Sequence, residues 1–203
     1  MKYMYNTCRN ESVIFMKKQI INLKDGELTL KLIVKKDFEA YYTAGFLKLD
    51  PMVNYYTGTT KAFTKQDIKE YIERIVDDER RYDFLIYFKG SDMLGEIVLN
   101  EIDWDTRMAG FRIALFHQTY CEKGIGKKSI DLLLKFAFET LRLHRIELEV
   151  FDFNTRAKHV YEHCGFQVEG KKRDGLYLNN SYHDVYIMSM LESDYIGESH
   201  QEL

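Results

Sequence analysis

The chain has 203 residues, 45% of them apolar, and no Pro-, Gly- or Ser-rich linker divides it, so a single domain with a sizeable core is expected. A formal net charge of −3 with no lysine- or arginine-rich face argues against a nucleic-acid partner held by phosphate neutralisation. No apolar run reaches the length of a membrane span, and the opening MKYMYNTCRNESVIF has no leader pattern, so no membrane partner is expected. Three widely spaced cysteines, Cys8, Cys121 and Cys164, offer no disulfide framework, which implies a reducing, cytoplasmic setting.

Met16 begins a second plausible start, so residues 1–15 read as a non-essential extension, 16–191 as the domain and 192–203 as a polar, frayed tail. Glu27 to Lys35 alternates as a first strand, and Asp37 offers an N-cap for a helix carrying Phe38, Tyr41, Tyr42, Phe46 and Leu49. Asp50-Pro51 ends that helix, and the tyrosine-rich MVNYYTGTTKAF reads as loop. Thr64 with Asp67 forms a capping box before Ile68, Tyr71, Ile72, Ile75 and Val76 at helical spacing.

Three strands follow as an antiparallel meander: Tyr82 to Phe88, Met93 to Trp104 and Met108 to Leu115, with turns at Lys89 to Asp92 and at Asp105 to Arg107. The stretch from Gly110 to Leu141 is then strand, glycine loop and helix, the helix presenting Ile130, Leu133, Leu134, Ala137, Phe138 and Leu141 to the sheet. A glycine loop ending at a helix N-terminus leaves backbone N–H groups and the positive end of a dipole facing outward, which suits a pyrophosphate. Lys123, Lys127 and Lys128 add charge there; the alternative is a strand-to-helix turn whose glycines, Gly124 and Gly126, only relieve strain. Arg145 to Phe151 reads as another buried strand, followed by Asn154, a short helix to Cys164 and Gly165 in a left-handed C-terminal position. Strands at Phe166 to Lys172, Leu176 to Leu178 and Tyr182 to Leu191 close the chain, the turn lying at Asn179-Asn180.

The segment Asn154-Thr-Arg-Ala157-Lys-His-Val-Tyr161-Glu-His-Cys-Gly165-Phe166 matches Asn-x-x-Ala-x-x-x-Tyr-x-x-x-Gly-Phe, and it follows a strand, a glycine loop, a helix and a second strand. In this order the chain resembles the GNAT N-acetyltransferase superfamily over Met93 to Leu191, and within it the spermidine and ribosomal-protein acetyltransferases most of all. The resemblance implies an α/β (α+β) fold whose mostly antiparallel sheet is flanked by helices and whose central strands splay apart to admit acetyl-CoA as cosubstrate.

It further implies that the backbone of Ile113, Ala114 and Leu115 pairs with the pantetheine arm. The diphosphate would rest on the loop from Cys121 through Glu122, Lys123, Gly124, Ile125 and Gly126 to Lys127 and Lys128, with Asn154 and Ala157 completing the cofactor contacts. Two positions depart from the pattern: Cys121 stands where Arg or Gln is usual, and Glu122 where Gly is common, putting a carboxylate beside a diphosphate. Asn154 reads equally well as the cap of the following helix.

The reaction implied is direct acyl transfer from the thioester to an amine substrate, with Tyr161 donating to the departing thiolate. Position alone makes Tyr161 a core tyrosine. Water or a carboxylate accepts the ammonium proton, and the meander offers Glu96, Glu101 and Asp103. Glu101 and Asp103 share one strand face, where two acids would hold a polyamine or simply line a solvated edge.

Spermidine or another polyamine is the first acceptor class, a ribosomal-protein or other protein N-terminal amine the second, with a pocket between Phe38 and Phe63. A CoA-binding sensor without turnover is the alternative from another class, motivated by Cys121 and Glu122. No metal is expected: His159 and His163 have ligand spacing, but no second cluster completes a site. The closing strands offer edges for a homo-oligomer.

Overall fold

The computed structural model describes Lys18, residues 21–90 and residues 92–199. The proposed extension 1–15 and the last residues of the tail lie outside the described residues. The chain forms β1 (Asn22–Asp25), β2 (Leu28–Leu32), α1 (Phe38–Gly45), α2 (Pro51–Thr57), α3 (Lys65–Val76), β3 (Tyr82–Phe88), β4 (Gly95–Asp103) and β5 (Met108–Leu115). Then come α4 (Ile125–Lys135), β6 (Arg145–Phe151), α5 (Thr155–His163), β7 (Gln167–Leu178), β8 (Ser181–Leu191) and α6 (Glu192–Ser199).

The strands make one eight-stranded sheet in the order β1-β2-β3-β4-β5-β6-β8-β7. Every neighbouring pair is antiparallel except β5 and β6, which run parallel. This is the mixed, mostly antiparallel α/β architecture expected. One face is covered by the apolar stripe of α4, by Tyr161 of α5 and by Cys164 just beyond it, packed on Ile97, Leu99, Phe111 and Leu148. The other carries α1 and α3, whose Tyr41, Ile68, Ile72 and Ile75 cluster with Leu85 and Phe116. Alternate strand residues thus feed two cores, one on each side of the sheet.

The capping box at α3 forms as expected, Thr64 Oγ1 accepting from Asp67 N at 3.1 Å while Thr64 N donates to Asp67 Oδ2 at 2.8 Å. Other expectations need correction. Asp37 does not cap α1; its carboxylate accepts from Val34 N at 3.1 Å and from Lys31 at 2.6 Å. The first strand is one arm of a hairpin with β1. The stretch expected to be loop contains α2, because Pro51 occupies a first-turn position and Asp50 caps the helix by accepting from Met52 N at 2.9 Å. No α2 residue is buried, so no apolar stripe announced it. The polar tail is helical as α6, docked by Tyr195 stacking on Phe138 at 5.0 Å and donating to Glu139 at 2.8 Å.

Candidate active site

The parallel pair β5 and β6 is joined only at Met108 to Gly110 opposite Arg145 to Glu147; beyond Gly110 the strands separate. The β6-facing backbone groups of Phe111 to Leu115 are left without a strand partner. Gly95 helps set this geometry, since a Cβ there would stand 2.3 Å from the Ala114 carbonyl oxygen, so β5 leans onto β4 through the space a side chain would fill.

A cavity of about 230 Å³ occupies the gap. From β5 it is lined by Ile113, Ala114 and Leu115, and from the glycine loop by Cys121, Glu122, Gly124, Gly126 and Lys127. Helix α5 and its approach contribute Asn154, Arg156, Ala157 and Tyr161. Gly124 adopts φ +73° at the helix N-cap, the left-handed region that turns the loop into α4. The remaining expected cofactor residues stand apart: Ile125 turns into the core, Lys123 is exposed, and Lys128 lies 5.7 Å from the Phe88 ring.

Asn154 caps α5 through Ala157 N at 3.2 Å while its Nδ2 donates to Tyr56 O at 3.2 Å, so it also ties down α2. Tyr161 is buried at 8% exposure, edge-on to Phe111, and its hydroxyl has no hydrogen-bond partner among the described residues although the side chain lines the gap. Burial, and then Cys164, push its pKa well above the usual phenol value.

A larger cavity of about 720 Å³ lies between α1, α2, α3 and the opposite face of β4 and β5. Val53, Thr57 and Ala114 line both cavities, so α2 forms the wall between them and Ala114 marks where they meet. Beneath the larger cavity runs a network of two acidic and two basic side chains joined through tyrosine hydroxyls. Glu96, 6% exposed, accepts from the Tyr41 hydroxyl and from Arg112. Arg112 also donates to Tyr71 at 2.7 Å; Tyr71 donates to Asp83 at 3.1 Å, and Arg81 grips Asp83 at 2.8 Å. Burial and then Glu96 raise the Tyr41 pKa, and burial raises that of Tyr71, so both phenols keep their protons. Burial opposes the Arg112 charge, the Glu96 carboxylate supports it, and on balance its pKa rises.

The structure brings neither Glu101 nor Asp103 to either of these cavities. Glu101 sits at φ +52° in a bulge that breaks the β4–β5 register between Asn100 and Asp103, so that Ile102 joins Ile97 and Leu99 in the core and Glu101 is turned out. The Asp103 carboxylate closes the next turn, accepting from Asp105 N at 3.0 Å and Thr106 N at 3.2 Å. The pair expected to hold the amine thus stands apart from the residues that line the two cavities. Sequence reasoning also missed Arg156, the α2 wall and the pairing of Glu96 with Tyr41. Only Arg156, two residues after Asn154 in the first turn of α5, carried a readable signal.

The acetyltransferase (GNAT) domain model matches residues 27–167. The chain belongs to the GNAT acetyltransferase family. This acetyltransferase is 31% identical over 133 residues to the spermidine N(1)-acetyltransferase of Vibrio cholerae, covering 66% of this chain and 76% of that protein. It is 36% identical over 137 residues to the putative ribosomal N-acetyltransferase YdaF of Bacillus subtilis, covering 63% and 73%. The solved structure of Vibrio cholerae spermidine N-acetyltransferase in complex with CoA and spermine superposes with a TM-score of 0.76 at 26% identity, over 85% of this chain and 99% of that one. Domain and relatives identify an N-acetyltransferase.

No helix among the described residues is long and apolar enough to cross a membrane.

Proposed function

We propose that this acetyltransferase moves the acetyl group of acetyl-CoA directly to a primary amine, the two substrates meeting at Ala114. The observation that carries the reading is the shared wall: the gap between β5 and β6 opens onto the larger cavity at Ala114, with the unpaired Tyr161 hydroxyl lining that gap. The β6-facing backbone groups of Phe111 to Leu115 suit the amides of a pantetheine arm, which would add to β5 as a short strand. The loop amides from Cys121 to Gly126 and the dipole of α4 suit the diphosphate.

Glu96 faces the junction from β4 and attracts the ammonium group. Its two oxygens are already engaged by Tyr41 and Arg112, which makes it an anchor more than a free base, so water takes the ammonium proton. The amine nitrogen then attacks the thioester carbonyl, a C–N bond forms, the nitrogen gives up its second proton to water and the C–S bond breaks. Tyr161 supplies a hydrogen bond to the sulfur as negative charge develops there. Full proton transfer from a phenol so strongly desolvated to a thiolate is uphill, so the group acts by hydrogen bonding, and the thiolate takes its proton from solvent.

Spermidine or another polyamine is the acceptor class favoured by likeness to the spermidine acetyltransferases. A specific observation favours the second class, the N-terminal amine of a polypeptide. Beside Asp67, Glu70 and Glu96, the larger cavity is lined by Lys61, Arg74, Arg81 and Arg112, a mixed charge that suits one amine with neutral or acidic surroundings better than a polycation. Thiol release from acetyl-CoA tests both classes in a panel of spermidine, spermine and short peptides with free or blocked N-termini. Amine-dependent release is expected, and the productive class names the acceptor. Binding of acetyl-CoA without release by any amine would favour a CoA-binding sensor.

A further inference from the structure

Of the lysines expected to hold the diphosphate, only Lys127 lines the gap, and it is engaged with Asp131 at 2.9 Å. Another cation does line it. Arg156, in the first turn of α5, lies against the Tyr56 ring with its guanidinium carbon 5.3 Å from the centroid, and its Nη1 stands 3.8 Å from Glu122 Oε1. It also reaches Cys121, whose thiol burial pushes up and Arg156 draws back. The guanidinium thus stands beside the glycine loop with an aromatic ring and a carboxylate as neighbours.

The partners are unequal. The Glu122 side chain is 81% exposed and that of Arg156 37%, so their ion pair is screened by water and weak. Glu122 also adopts φ +60°, a left-handed conformation unusual for a residue with a Cβ. A planar guanidinium offers paired N–H donors that match phosphate oxygens, and a diphosphate carries more charge than a single carboxylate.

We infer that Arg156 is the cation that binds the diphosphate of the acyl donor, and that Glu122 is its stand-in partner, displaced when the cofactor enters. The inference rests on acetyl-CoA being the donor. Arg156 thereby supplies from α5 the charge that Cys121 does not supply from the loop. Glu122 acts as a competitor whose removal strengthens cofactor binding only while Arg156 is present.

The test compares acetyl-CoA with S-acetylpantetheine, a thioester that lacks the diphosphate, in wild type, Arg156→Gln, Arg156→Lys, Glu122→Gln and the double variant. Arg156→Gln is expected to lower the preference in kcat/KM for acetyl-CoA over S-acetylpantetheine about tenfold, with Arg156→Lys intermediate because it keeps the charge without the fork. Glu122→Gln, which keeps the backbone strain and removes only the charge, is expected to tighten CoA about two- to threefold by calorimetry, and the double variant to lose that gain.

An unchanged preference in Arg156→Gln, or a Glu122→Gln gain that persists without Arg156, overturns the assignment. Failure of the wild type to bind acetyl-CoA at all would overturn the donor reading itself. Far-UV circular dichroism of each variant separates loss of fold from loss of charge, and Arg156→Lys carries the comparison if Arg156→Gln does not fold.

Discussion

Glu96 stands directly across from Ala114 in the β4–β5 ladder, so the buried carboxylate and the residue at which the two cavities meet share one face of the sheet. Opposed residues in a ladder are close neighbours, which puts the anchor for the ammonium beside the end of the cofactor gap.

Replacing Glu96 by Gln keeps the shape and removes the charge. The expected result is a KM for the amine raised at least tenfold, with kcat less affected. Stability should fall by about 1–3 kcal/mol, because Arg112 loses a charged partner. The Arg112 side chain is 43% exposed, which places the loss at the lower end. Steady-state kinetics and urea unfolding check both numbers, and an unchanged amine KM would remove Glu96 from the acceptor site.

Tyr161→Phe is expected to lower kcat about a hundredfold while leaving the melting temperature within about 2 °C, since the deleted hydroxyl has no protein partner among the described residues. A core role predicts the reverse, a near-normal rate and a destabilised fold. The pH profile gives a second check. Burial raises this phenol above its ordinary value of about 10, so it stays protonated through the alkaline range and kcat should rise as the amine loses its proton, without a descending limb below about pH 10. A descending limb centred below that value, absent in Tyr161→Phe, would show a phenol titrating in its ordinary range and contradict the upward shift.

Gly95→Ala would place a Cβ 2.3 Å from the Ala114 carbonyl oxygen, and backbone on that side has to move. A destabilisation of about 1–3 kcal/mol is expected, with CoA binding weakened because the same stretch of β5 borders the gap. Chemical denaturation together with calorimetry separates these effects. Loss of stability with CoA affinity unchanged would mean that the lean of β5 onto β4 does not shape the gap.

How much of this could be read beforehand differed by element. The strand, glycine loop, helix, strand and Asn154-to-Phe166 sequence carries its own periodicities and end signals, so the sheet centre and most gap-lining residues were legible. Helix α2 was not, because its residues are half-exposed and Pro51 signals a start as readily as a stop. The acid pair failed for a different reason. Spacing of two puts Glu101 and Asp103 on one face of a regular strand, but the bulge at Glu101 changes which residues face the core, and no side chain in the sequence announces it. Glu96 looked like any strand acid until Tyr41, from another element, was seen to meet it.

Acid sensitivity should come in part from the closing strands. Arg145 on β6 clasps Glu169 on β7 at 2.6 and 2.5 Å, and Ser189 on the intervening β8 adds a hydrogen bond, holding Glu169 at about 2 against an ordinary 4.5. A depressed carboxylate pKa contributes stability that is complete above the unfolded value and drains away as pH falls from about 4.5 towards 2. Glu169→Gln should therefore be less stable than wild type at pH 7, and the gap in urea midpoint should narrow at pH 3. A gap of the same size at both values would show that the clasp contributes nothing. The 42% exposure of Glu169 makes the effect modest.

The most direct test of the proposed arrangement is a crystal structure of the wild-type enzyme soaked with CoA. The prediction is a pantetheine arm lying along Phe111 to Leu115 between β5 and β6, its sulfur beside Ala114 and within hydrogen-bonding distance of the Tyr161 hydroxyl. CoA bound elsewhere, or a sulfur remote from Tyr161 with the gap empty, would contradict it.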